Sequence, residues 1–449
     1  MCDDITMVAF HHPFFGIGES HNTPTQPPPA QTAIYFTPPT NYSCTMNQCV
    51  TCKGKGLCGR PKCPVLERFR EIEAITDPGT TNLSGASPPS VFVGRRGYPD
   101  VFAGPLIPPN IGGDEAQQYE DPGVLLSKNI DEIIGLRSRL VRSYTRLNVK
   151  TMHDPFLLTS QELAMADAPV DTEVWFARPP AARMAFDGML MPMGPAGELT
   201  KITLTENPKV PTKIDYLVSD TDVLASDSIR ELHRSRIPQH HITRIFSIGL
   251  LGKDRKLVPT RWSITAIDDM IGKMLLDDIR DYPEIKDIVL FTAEKFGNHF
   301  EILMIPRCFS FELIEIWLPD SVWSDRLWIG SDREDYGGKK GYSSLAGGYY
   351  AARTAVVEYL HAIRRQASIF IVREILPDYW APLGVWVIRE AVRGALAGKG
   401  GDLGARRFDS IDDALRDLSG RIRTPHVRWQ NEMQLLDECR FQRTLTEFL

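Results

Sequence analysis

Three strand-like runs follow one another between residues 287 and 318: DIVLFT, HFEILMIP and CFSFELIEIWL. Each is rich in β-branched or aromatic residues and bounded by charged or turn residues, the pattern of consecutive strands. In the third, alternation passes from Phe309, Phe311 and Leu313 to Ile314 and Ile316, which predicts a bulge. Helical periods flank these strands. An amphipathic helix is expected over 265–280 through Met270, Met274 and Leu275. A longer one is expected over about 349–374, with Ala352, Val356, Leu360 and Ile363 on one face and Pro377 as its limit. Upstream, DEIIGLRSRLVRSY sets Ile133, Leu136 and Leu140 at helical spacing, whereas KITLT and KIDYLV alternate as half-buried strands. The mixture predicts an α+β fold, a mixed or antiparallel sheet core with flanking helices, rather than a regular βαβ series.

Residues 1–43 hold seven prolines and no basic residue, a composition that predicts a disordered tail. His11, His12 and His21 read there as unstructured polar residues. Residues 78–113 are also rich in Gly and Pro, yet Val91, Phe92, Val93, Tyr98, Val101 and Phe102 are interleaved with those breakers. A solvated linker would not carry six large apolar side chains, so an ordered loop layer packed on a core is expected. The expected organisation is a tail over 1–43, a metal module over 44–66, α+β regions over 67–307 and 308–440, and a terminal peptide over 441–449. No apolar run approaches the roughly 18 residues of a membrane-spanning helix. No Lys or Arg precedes Lys53, which fits neither a signal peptide nor an Arg-rich transit peptide.

Five of the eight cysteines lie between positions 44 and 63. Cys49, Cys52, Cys58 and Cys63 give C-x2-C-x5-C-x4-C, and the first pair has the spacing that lets two thiolates of one turn reach the same tetrahedral ion. Gly54, Gly56 and Gly59 supply backbone freedom for so tight a wrap. A structural zinc site is the reading, with an iron–sulfur cluster as the other four-thiolate possibility and Cys44 as an alternate ligand. Cys308, in an apolar strand, reads as buried and inert. The chain has 51 basic against 57 acidic residues, a formal net charge of −6, so any nucleic-acid contact has to be local. Residues 44–70 are such a locality: Lys53, Lys55, Arg60, Lys62, Arg68 and Arg70 face only Glu67. Arg95 and Arg96, in a glycine-rich turn, can extend that patch.

Two further segments are candidates for chemistry. DREDYGGKKGYSSLAGG at 332–348 combines acids, glycines and the lysines Lys339 and Lys340, which can meet a phosphate, although its spacing matches neither common phosphate-binding motif. In RKLVPTRWSITAIDD, Arg255, Lys256, Arg261 and Trp262 can contact a nucleic-acid backbone and stack a base. Asp268 and Asp269, with Glu301, can bind a divalent ion, and together with Lys339 they are the catalytic candidates. The competing reading makes Thr265 and Asp268 a T-x-x-D cap at a helix start. His299 lacks a matching second histidine and reads as a packed or surface residue. At the end of the chain, Gln442, Leu445, Phe448 and Leu449 fit the Q-x-x-h-x-x-a-a pattern of sliding-clamp ligands, with Leu in the last aromatic place. One 3₁₀ turn would stack Leu445 and Phe448 on one face.

The order CKGKGLCGRPKCP, SPPSVFVGRRGYPDVFAGP, GKDRKLVPTRWSITAIDDMIG, DREDYGGKKGYSSLAGGYYAAR and a terminal clamp box resembles the archaeal Nre DNA repair proteins, over roughly residues 44–449. The resemblance implies a cytoplasmic, nucleoid-associated archaeal protein of DNA damage repair that acts with DNA and the replication sliding clamp (PCNA). It implies a four-cysteine zinc finger at Cys49, Cys52, Cys58 and Cys63 and clamp binding through Gln442, Leu445, Phe448 and Leu449. It carries over no catalytic mechanism. Three functions follow as expectations: a DNA-contacting repair factor tethered to the clamp, a metal-dependent nuclease or nucleotide-processing enzyme, or a non-catalytic repair scaffold.

Overall fold

The computed structural model describes residues 55–57, 63, 66, 70, 80–181, 194–321, 324, 326–398 and 404–441. Cys44, Cys49, Cys52 and Cys58, Lys53, Arg60 and Lys62, His11, His12 and His21, and the peptide 442–449 lie outside these residues.

Two six-stranded mixed sheets organise the chain. The first uses β1 (Asn82–Ser87), β2 (Val91–Val93), β3 (Asp100–Ile107), β4 (Val141–Asn148), β5 (Val170–Phe176) and β6 (Ala196–Leu204), in the order β1-β5-β6-β4-β3-β2. Only β4 and β6 pair in parallel. The Gly/Pro-rich stretch is thus ordered as expected, but as strands rather than loops, because Val91, Val93 and Val101 put their side chains into the core. Short helices α1 (Gly113–Ala116), α2 (Pro122–Leu126) and α3 (Ile130–Arg139) precede β4, and α4 (Pro155–Met165) follows it. A capping box starts α3: Asn129 Oδ1 accepts from the Glu132 N–H at 3.0 Å, and Glu132 Oε2 accepts from the Asn129 N–H at 2.7 Å. The helix is shorter than the sequence suggests, since VRSY already belongs to β4.

Four helices come next: α5 (Thr212–Ser219), α6 (Ala225–Arg234), α7 (Gln239–Ser247) and α8 (Thr260–Ile279). The KIDYLV segment read as a strand is α5; Ile214 and Leu217 are its buried residues, a spacing of three that serves a helix. The second sheet takes β7 (Ile288–Lys295), β8 (Asn298–Ile305), β9 (Ser310–Trp317), β10 (Trp328–Glu334), β11 (Ser368–Ile375) and β12 (Arg406–Phe408), in the order β10-β9-β11-β8-β7-β12. It is built across the expected boundary at residue 307, with β11 lying between β8 and β9. The helix α9 (Gly347–Ile363) precedes β11; the longer helix expected there ends where Arg364 turns left-handed, and β-branched SIFIV continues as a strand. The remaining helices are α10 (Trp386–Leu396), α11 (Ile411–Arg421) and α12 (Gln434–Phe441).

Every residue of β9 and β11 is buried. One face packs on α8, α9 and α10 through Phe311, Leu313, Ile369 and Ile371; the other packs on α11 and Trp429 through Ile314, Ile316, Phe370 and Val372. That is why β9 shows no clean alternation. The expected bulge is absent: its register against β10 and β11 runs unbroken. Two buried charged side chains of its central strands are held by hydrogen bonds. Arg373 donates to Glu315 at 2.6 Å and to Asn298 Oδ1 at 2.6 Å. Glu312 accepts the first N–H groups of α12, from Gln434 at 3.0 Å and Leu435 at 3.1 Å.

Among the described residues, no helix is long and apolar enough to cross a membrane. Glu312→Ala leaves the α12 N–H groups without their buried acceptor, so a stability loss of about 1–3 kcal/mol is expected in urea unfolding, with faster amide exchange confined first to residues 434–441.

Candidate nucleic-acid interface

The β2–β3 hairpin tip, GRRGYPD, is placed against the first turn of α8. The Gly94 N–H donates to Phe102 O at 2.7 Å and closes the hairpin, and the Asp100 N–H donates to Gly97 O at 2.9 Å. Gly97 has φ +82°, and a Cβ there would meet Asp100 O at 2.8 Å, so only glycine makes this turn without strain. The Val93 N–H donates to Thr260 Oγ1 at 2.9 Å, which fixes the strand to the start of the helix. Next to that bond, the rings of Tyr98 and Trp262 lie 5.2 Å apart at an interplanar angle of 56°.

This docking brings together residues far apart in sequence. Arg95, Arg96 and Arg261 are exposed, and no carboxylate among the described residues pairs with them. Burial first, and then the like charges of Arg261 and Arg96, lower the Arg95 pKa from its ordinary value. Three neighbouring cations without an acid repel one another, and an anion placed between them relieves that repulsion. Tyr342, 68% exposed, lies beside Thr265 and Arg261 and so adds an aromatic face from the 332–348 loop.

The other candidates divide differently. Lys339 ion-pairs with Asp332, donates to Arg333 O at 3.2 Å and lies over the Tyr349 ring. Asp332 also accepts from the Ser344 N–H at 3.0 Å. An internal carboxylate therefore occupies the position expected for a phosphate in this loop, and only Lys340 of the two lysines is exposed. Arg255 serves the fold, donating to Val218 O at 2.5 Å and Gly252 O at 3.2 Å.

Asp268, Asp269 and Glu301 do not form a divalent-ion site. Asp268 is fully buried, accepts from Gln239 Nε2 at 2.6 Å and pairs with Arg389 at 3.2 Å. Burial raises its pKa, against the opposing pull of Arg389. Asp269 pairs with Arg353 at 2.7 Å and with Lys273 at 2.7 Å. Glu301 faces the opposite side of the second sheet, with Thr292, His299 and Arg406 on its oxygens. Among the described residues, no three His, Cys, Asp or Glu side chains converge as a metal site. The T-x-x-D cap is corrected as well: α8 begins at Thr260 after Pro259, so Thr265 and Asp268 sit inside the helix. Cys308 is exposed rather than buried, in the turn before β9 and 3.6 Å from Glu284; burial and then that carboxylate raise its pKa. Of the cysteine module's candidate site residues, Cys63 and Lys55 are among the described residues; Lys55 is exposed and Cys63 half-buried.

Sequence reasoning missed the part played by Tyr98 and Tyr342. Exposed tyrosines beside Pro or Gly carry no periodic signal, and their meaning comes from the arginines that the fold places next to them.

Comparison with known proteins places this arrangement. A family model described as archaeal Nre, N-terminal, matches residues 57–324, and one described as archaeal Nre, C-terminal, matches residues 334–448. The chain belongs to the archaeal Nre family. One Nre relative, DNA repair protein NreA of Archaeoglobus fulgidus, is 43% identical over 386 residues, covering 85% of this chain and 95% of that protein. DNA repair protein NreB of the same organism is 34% identical over 403 residues, covering 89% of this chain and all of that protein. DNA repair protein NreA of Haloferax volcanii is 36% identical over 373 residues, covering 79% and 86% of the two chains. No solved structure matches. The arginine cluster takes Arg95, Arg96 and Arg261 from the N-terminal Nre match, while Tyr342 comes from the C-terminal one.

The exposed and buried cations have opposite consequences for stability. Arg353→Met strands the buried Glu334 carboxylate, so a loss of about 3–5 kcal/mol is expected in chemical denaturation. Arg261→Ala should stay within about 0.5 kcal/mol of the parent in the same measurement.

Proposed function

We propose that this protein is a DNA repair factor that holds DNA through the Arg95, Arg96 and Arg261 cluster and is tethered to the replication sliding clamp by its last eight residues. The observation that carries the reading is the convergence of three arginines, with which no carboxylate among the described residues pairs, beside the tilted rings of Tyr98 and Trp262, in a chain whose net charge is −6. A phosphate backbone supplies the missing negative charge, and aromatic faces suit bases. The names of the relatives, DNA repair proteins of two archaea, support the repair role.

Two further parts belong to the proposal. Cys49, Cys52, Cys58 and Cys63 would hold a structural zinc ion, which would fold a segment too short to build a core. Lys53, Lys55, Arg60 and Lys62 around it, with Arg95 and Arg96, would extend the contact to DNA. Gln442, Leu445, Phe448 and Leu449 would dock in the clamp, and tethering raises the local concentration at replicating DNA without requiring tight intrinsic affinity. The scheme has no catalytic step.

Salt dependence tests the DNA contact. Each of Arg95→Ala, Arg96→Ala and Arg261→Ala is expected to weaken binding of a labelled oligonucleotide and to reduce the slope of log affinity against log salt by about 1. Unchanged slopes in all three would refute the assignment. For the clamp, a peptide of residues 438–449 should bind purified sliding clamp in calorimetry, and Phe448→Ala should abolish the heat; equal binding by both peptides would remove the tether.

A further inference from the structure

The hairpin whose tip carries Arg95 and Arg96 continues into a sheet surface of the same character. On β3 the side chains of Val101 and Ala103 point into the core, whereas Phe102, between them, is 43% exposed on the outer face. Its register partner on β4 is Arg146, also exposed and without an ion-pair or hydrogen-bond partner among the described residues. Tyr144, two residues along the same face, meets Phe102 edge-on with ring centroids 5.0 Å apart. Phe92 lies on this face of β2, and Arg142 of β4 stands over its ring at 5.8 Å. Three aromatic rings and two arginines thus share one face of three adjacent strands.

A surface of this kind is costly if nothing covers it. Phe102 is not a lone exposed ring but adjoins Tyr144 on the same face, and Arg146 opposite it favours an anionic occupant. Duplex DNA offers phosphates to the arginines but keeps its base faces stacked inside, so the rings would gain little from it. An unpaired strand offers both: bases that stack on aromatic side chains and a backbone that pairs with guanidinium groups. Glu198, the exposed register partner of Tyr144 on β6, ends the cationic stretch on that side, so a polyanion would run from this face toward the hairpin tip rather than across β6.

We infer that the outer face of β2, β3 and β4 is a stacking platform for an unpaired nucleic-acid strand, continuous with the arginine cluster at the hairpin tip. The inference rests on the proposed DNA contact and narrows its ligand from DNA in general to single-stranded segments.

Anisotropy with a fluorescein-labelled mixed-sequence oligonucleotide, single-stranded or annealed to its complement, tests this on the full chain. The single strand is expected to bind more tightly than the duplex. Phe102→Ala should weaken single-strand binding about 5- to 150-fold, the range that loss of one base–aromatic stack gives. The loss on duplex should be severalfold smaller, and Phe102→Tyr should restore single-strand binding. A matched thermal melt of each variant shows that the fold is retained, as expected for an exposed position. If the duplex binds in a manner that needs Arg95 and Arg261 while Phe102→Ala changes neither ligand's affinity, the platform is overturned and the DNA contact stands. If neither ligand binds at low salt, both are overturned.

Discussion

The Arg353 guanidinium is the interaction on which the arrangement of the interface depends. It is fully buried in α9 and held between Glu334, at the end of β10, and Asp269, on α8. Burial opposes its charge, but Glu334 and Asp269 outweigh that effect and leave its pKa raised. Gly272 leaves room for it: a Cβ at that position would lie 3.0 Å from the guanidinium. The second sheet and the α8–α9 pair are thereby fixed to one another, and Asp332 holds the loop that follows β10 through Lys339 and the Ser344 N–H. Because Arg261 and Trp262 sit two turns before Asp269 on the same helix, fixing Asp269 also fixes their direction.

The same fold shows how charge is separated by purpose. Four arginines of the interior meet acids: Arg353 with Glu334, Arg373 with Glu315, Arg389 with Asp268, and half-buried Arg393 with Glu358. A buried charge without a partner is strongly disfavoured, so these positions carry matched pairs. At the hairpin tip no carboxylate among the described residues makes such a match. Water screens exposed charges well enough for the chain to tolerate the repulsion between them.

How much of this was legible in the sequence depended on whether a signal was local. Strand runs at 288–317 and the residues of the Gly/Pro-rich layer were visible because apolar content and breakers are local properties. Arg95, Arg96, Arg261 and Trp262 were visible as basic and aromatic residues, but their meeting was not, since it rests on a bond between Val93 and Thr260 across 167 residues. Asp268, Asp269 and Glu301 misled for the same reason. The adjacent Asp268 and Asp269, taken with Glu301, suggested a metal site, whereas the fold gave each its own cations and set Glu301 on the far side of a sheet. The end of α9 was missed because SIFIV continues a helical apolar face in sequence while its β-branching suits the strand it forms.

The position of β11 has a consequence for how the chain reaches this state. It fills the gap between β8 and β9, and Ser310 meets Ser368 only across 58 intervening positions. Until that later segment has been made, two strands that follow each other in sequence cannot complete the sheet, and each keeps an open apolar edge. A chain emerging from the ribosome must hold those edges apart from one another and from other chains while β10 and α9 are synthesised. The centre of the second sheet is therefore among the last parts to close, and the interval before it closes is the period in which aggregation competes with folding.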